Sequence, residues 1–108
     1  MALQSVAYGS QAATISTEHS LTQQTGIGIY VLLVDTSAMQ SGDTVALKIK
    51  TKRHTGDSSV LAYTFTFTGV QTEPNKYSVP VPIDTEIICT LAQTAGTGRT
   101  FPWKLLRA

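Results

Sequence analysis

The chain has 108 residues, of which 42% are hydrophobic and 14% charged, with a formal net charge of +1. That length allows one domain with a cooperative core and no need of metals or disulfides. The composition excludes disorder, and the near-neutral balance leaves no global field to draw the protein to nucleic acid or a membrane.

In chain order, residues 1–20 have neither a basic start nor a continuous apolar run, so no secretory signal is expected. Residues 1–10 read as a loose extended arm, followed by a short strand over 12–17. The run IGIYVLLVD (27–35) is nearly continuous in apolar character and predicts a central strand covered on both faces. It falls far short of the ~20 residues of a membrane-spanning helix. TSAMQSG (36–42) predicts a single helical turn ended by Gly42.

Residues 43–52 alternate strictly. Val45, Leu47 and Ile49 point one way, and Ala46, Lys48 and Lys50 the other. Residues 61–68 repeat the pattern with aromatics inside and threonines outside, and the turn formers HTGDS (54–58) join the two runs into a hairpin. In YSVPVP (77–82), Pro80 and Pro82 remove donors from the same strand edge, which leaves either an edge strand or a polyproline-like connection. EIICTLAQ (86–93) and TFPWKLL (100–106) are the last two strands.

Between them lies TAGTGRT (94–100), which looks like the tail of a phosphate-binding loop. The mechanics fail: Gln93 stands where the first glycine is needed, Arg99 replaces the lysine, and Pro102 prevents the helix that must follow. The glycines predict instead a tight hairpin turn. Seven or eight short strands without a long helix make an all-β, single-domain antiparallel β-sandwich, jelly-roll-like, over residues 1–108.

Candidate chemistry is sparse. Neither His19 nor His54 stands near a nucleophile motif, and no metal-ligand spacing occurs. Asp35, Asp43, Asp57 and Asp84 flank predicted loops without a calcium-loop spacing, as ordinary turn residues do. Cys89, the single cysteine, alternates with Ile87 and Leu91 and is expected in the core of a protein made in a reducing cytoplasm. No catalytic, cofactor or metal site is expected, and no enzyme. The sharpest constellation is Lys48, Lys50 and Lys52 on one strand face, with Arg53 beyond. It is either a contact stripe for an acidic partner or a solvated face whose like charges discourage aggregation. No interleaved aromatics suggest nucleic acid. Trp103 alternates with Phe101 and Leu105, which favours the core over a sugar-stacking platform.

DTSAMQSGDTVALKIKTK, VPVPID and LAQTAGTGRTFPWKLLRA together resemble small all-β virion proteins of tailed bacteriophages, in particular head decoration (cement) proteins. The resemblance implies a β-sandwich on the outer surface of the head, made in the host cytoplasm. Its partner would be the shell of the major capsid protein, reinforced by a homo-oligomer, a dimer before a trimer. Residues 1–10 and the lysine stripe are then the expected shell contacts. The competing readings are a tail or head–tail joining protein, and a carbohydrate or host-surface binding module.

Overall fold

Period-two alternation organises nearly the whole chain. The computed structural model describes residues 3–108, which run as β1 (Gln4–Ala12), β2 (Glu18–Thr25), β3 (Gly28–Asp35), β4 (Thr44–Thr51), β5 (Val60–Thr68), β6 (Asn75–Tyr77), β7 (Val81–Ile83), β8 (Glu86–Ala95) and β9 (Thr100–Arg107). Two antiparallel sheets result. Sheet A has the order β1-β9-β3-β6, with β7 also on β3, and sheet B the order β2-β8-β4-β5. The pairings nest: β1 with β9, β2 with β8, β3 with β6 and β7, β4 with β5. One long hairpin, with its tip at the β4–β5 loop, is thus rolled so that its arms alternate between sheets. This is a jelly roll, a single-domain β-sandwich as the sequence predicts. It has nine strands among the described residues rather than the seven or eight expected, because β2 and the divided β6/β7 edge leave no clear alternation.

The core lies between the sheets. Tyr30, Leu32 and Val34 of β3 and Phe101 and Leu105 of β9 meet Val45, Leu47 and Ile49 of β4 and Ile87, Cys89 and Leu91 of β8. Each of these is at most 1% exposed, and each large aliphatic or aromatic side chain so buried contributes about 1.5–3 kcal/mol. The β4–β5 hairpin forms as expected, with Leu47 opposite Phe65.

Several expectations are corrected. The arm expected over residues 1–10 is, from Gln4 onward, strand β1 hydrogen-bonded to β9; Met1 and Ala2 lie outside the described residues. Residues 12–17 are mostly the turn between β1 and β2, with Ser16 at a φ of 65° and its N–H donating to the Gln93 carbonyl. β2 itself escapes the periodicity reading because it is a polar edge strand, EHSLTQQT. Residues 36–42 make two successive turns, Met39 N–H to Thr36 and Asp43 N–H to Gln40, rather than a helical turn. β3 is fully buried on one face, while Val31 and Leu33 on the other are half-buried and Ile29 is exposed. The proline segment is an edge, as one of its two readings had it, broken into β6 and β7. At the break the Ser78 hydroxyl accepts the Leu32 N–H at 2.9 Å.

The largest correction concerns TAGTGRT. β8 and β9 lie in different sheets, so the loop arches across the sandwich instead of closing a hairpin. Two buried polar side chains hold the arch. Asp43, 1% exposed, accepts the Thr97 N–H at 3.1 Å and the Arg99 Nε–H at 2.7 Å, and its other neighbour is the Gln40 N–H at 2.9 Å. Gln93, fully buried, donates Nε2 to the carbonyls of Ala95 and Thr97 and accepts the Arg99 N–H. Gly96 has a φ of 91°, and a Cβ there would overlap the Asp43 carboxylate and stand 2.8 Å from its Cα. Gly96→Ala is therefore expected to destabilise by more than the ~1 kcal/mol that the same change can gain at a compatible site. Gly56→Ala, in open space, should stay within about 0.5 kcal/mol. Urea denaturation of both variants checks the contrast.

Candidate interaction surface

The outer face of sheet B carries the lysine stripe. Lys48 and Lys50 stand opposite Thr90 and Ile88 of β8, and the face continues through Thr64 and Thr66 of β5. Lys48 and Lys50 share this face and Lys52 follows the last residue of β4, but together they do not make an open cationic surface. Lys50 Nζ lies 3.2 Å from the Glu18 carboxylate of β2, and Lys52 Nζ lies 2.9 Å from that of Glu86 at the start of β8. Arg53, beyond the strand, pairs loosely with Asp57 at 3.7 Å across the turn. Period two could show that the lysines share a face. It could not show that the fold lays two glutamates beside them from strands 32 and 34 residues away (50 − 18 and 86 − 52).

These carboxylates are tied down by more than lysine. The Thr90 hydroxyl donates to Glu18 at 2.6 Å and, ahead of Lys50, holds its carboxyl below the ordinary range. Lys52, then the Gln23 amide, does the same for Glu86. Arg99, then the Gln40 N–H, does so for Asp43. Carboxylates depressed in the folded state contribute stability above the free value of about 4 and lose it as pH falls through the folded value. The melting temperature should therefore hold from pH 8 to about 5 and drop below about 4. Asp43→Asn should lower it at pH 7 by roughly 5–10 °C and make the acid limb shallower. Calorimetry across pH measures both.

The residues that could suggest chemistry do not converge. His19 Nε2 accepts the Thr14 N–H at 3.0 Å and so braces the β1–β2 turn, while His54 is exposed in the β4–β5 loop. Among the described residues no three His, Cys, Asp or Glu side chains gather in a metal-binding group. Trp103 faces inward and is partly buried against Gly9, where a Cβ would come within 3.3 Å of the indole. It offers no exposed platform.

The outer face of sheet A is different, and sequence reasoning passed it over. In register across four strands lie Tyr8 (β1), Lys104 (β9), Leu33 (β3) and Tyr77 (β6). Beside this row Leu106 stands opposite Val31, and Pro82 opposite Ile29. Tyr8 is 79% and Tyr77 61% exposed, and Val79 in the break after β6 is also exposed. Lys104 and Asp35 share a shallow cleft with Leu33, Asn75 and Pro102 on this face. Exposed apolar side chains gathered on one face make it the candidate contact surface of the molecule. A signal was present: the odd positions of IYVLLV are as apolar as the even ones, which only a second covered face requires.

Family models, curated proteins and solved structures were compared with the chain, and none matches.

Cys89 is a free thiol buried in the core. Burial alone pushes its thiol up to about 12. At pH 8 the native protein should react with a thiol reagent at well under a hundredth of the rate of the urea-unfolded chain, a difference read directly by absorbance or mass.

Proposed function

We propose that the chain is a non-enzymatic structural virion protein, a decoration (cement) protein that binds the outside of a phage head shell. The observation that carries this reading is the inequality of the two broad faces. One is a threonine-rich surface cross-linked by its own ion pairs, and the other is an apolar surface with two exposed tyrosines. A protein whose work is attachment needs one such face and no convergent titratable groups. The resemblance of VPVPID and of the flanking segments to head decoration proteins supplies the partner, the major capsid protein.

On this reading the shell contact is the outer face of sheet A. Lys50, Lys52 and Arg53 have acidic neighbours of their own, and Lys48 sits beside the Glu18–Lys50 pair, whose carboxylate feels its charge. β1 contributes through Tyr8 rather than as a free arm.

Quantitative mass spectrometry of sedimented particles tests the role. Copy number close to that of the most abundant shell protein is expected. A handful per particle would move the protein to the neck or tail, and absence would overturn the virion reading. Tyr8→Glu and Tyr77→Glu, both at exposed positions, should weaken particle binding at least tenfold without lowering the melting temperature, whereas Lys48→Ala should leave binding unchanged.

A further inference from the structure

The four sheet edges, one of them shared by β6 and β7, are not protected alike. β1 is interrupted by a bulge between Ser5 and Ala7 and contains Gly9. β2 carries Glu18 and a bulge between Ser20 and Thr22. β6 and β7 are short, separated by Ser78–Pro80, and carry Pro82. Bulges, charges, prolines and brevity are the devices that keep edges from pairing. β5 ends sheet B, and its single bulge lies at the Leu61–Tyr63 end. From Tyr63 to Thr68 it is regular, uncharged and free of proline and glycine.

The same stretch has an incomplete core. Tyr63, Phe65 and Phe67 point inward and pack on one another, with ring centroids 5.4 and 5.7 Å apart. All three are only partly buried, because the opposite edge is the broken β6/β7. Lys76 of β6 lies over one of them, with Nζ 5.0 Å from the Phe67 ring centroid.

We infer that β5 pairs with β5 of a second copy, antiparallel about Phe65, to make one continuous eight-stranded sheet from the two sheets B. The sequence of the strand selects this occupant over an unrelated peptide. Tyr63-Thr64-Phe65-Thr66-Phe67 reads the same in both directions apart from one phenolic oxygen. A two-fold at Phe65 sets Phe65 against its own copy, Tyr63 against Phe67 and Thr64 against Thr66, so that each contact is repeated by symmetry as an isologous interface requires. Aromatic pairs extend the half-covered row on the inner face, and threonine pairs continue the outer one, both favourable cross-strand combinations. The pairing uses up the open edge in each copy, so assembly stops at two.

The inference does not depend on the shell reading, but it bears on it. A two-fold perpendicular to the joined sheet leaves both sheets A on the same side of the dimer. The two apolar faces can then engage one surface together, which raises apparent affinity without a new contact.

The test uses the isolated full-length chain. A single edge buries less than the ~800 Å² per partner of a standard interface, so a dissociation constant in the micromolar range is expected. Light scattering should show the mass rising from monomer to dimer between about 1 and 500 µM. Thr64→Glu/Thr66→Glu sets carboxylates opposite each other across the two-fold while placing one beside Lys48 within the monomer, so it should remain monomeric and folded by circular dichroism. Thr64→Lys/Thr66→Lys should also be monomeric, and an equimolar mixture of the two variants should recover the dimer. A wild-type monomer throughout, or a glutamate variant that dimerises like the wild type, would overturn the inference. A dimer abolished by Tyr8→Glu but not by the β5 variants would place the interface on sheet A and overturn it equally. None of these readouts involves a particle, so failure here is separable from failure of the virion role.

Discussion

A single buried carboxylate fixes one end of this sandwich. Asp43 sits just before β4, and its side chain takes the N–H of Gln40 from the preceding turn and the Thr97 N–H and Arg99 side chain from the β8–β9 arch. Its own carbonyl accepts the Gly69 N–H at 2.8 Å, from the turn that leaves β5. Three connections that would otherwise be independent loops therefore meet at one residue. A buried charge is tolerable here because both carboxylate oxygens accept hydrogen bonds and the guanidinium balances the charge. The glycine at position 96 is part of the same constraint, since no side chain fits between the arch and this carboxylate.

That constraint explains why the strands were legible in the sequence and their connections were not. Val45, Leu47 and Ile49 announce a strand by alternation, and so do Tyr63, Phe65 and Phe67, because burial of one face acts on every second residue. Which sheet a strand joins leaves no such periodic trace. TAGTGRT has the glycines of a hairpin turn, yet what directs it across the sandwich is Asp43, some fifty residues earlier, together with Gln93, which periodicity presents only as one more polar position. β2 is the complementary case. His19 and Gln24 stand opposite the core residues Leu91 and Ile87, so an inward-facing edge position reads as loop.

The candidate surfaces divide along the same line. Lys48, Lys50 and Lys52 were visible as a stripe because they are neighbours in sequence. Glu18 and Glu86, which change the meaning of that stripe, reach it only through pairings in the folded sheet. The apolar outer face of sheet A is assembled from five strands, β3 giving three residues and the others one or two, so no local window contains it. Its clearest local sign was the unbroken apolar run of β3, whose second face is half open in the isolated molecule. The unequal faces and the unguarded β5 edge are the features on which the proposed attachment and the proposed pairing rest.

The rolled hairpin also sets the order in which the molecule can come into being. β9 lies between β1 and β3, with Gln4 opposite Arg107, so sheet A has no centre until the last strand has been made. Until then β3, the most apolar strand of the chain, lacks its main neighbour. Pairings at such long sequence separation close slowly, typically in milliseconds to seconds for all-β domains. Until β9 emerges, a nascent chain therefore holds β1 unpartnered and β3 paired only with the short β6 and β7, a period in which association with a chaperone or with another unfinished chain competes with folding.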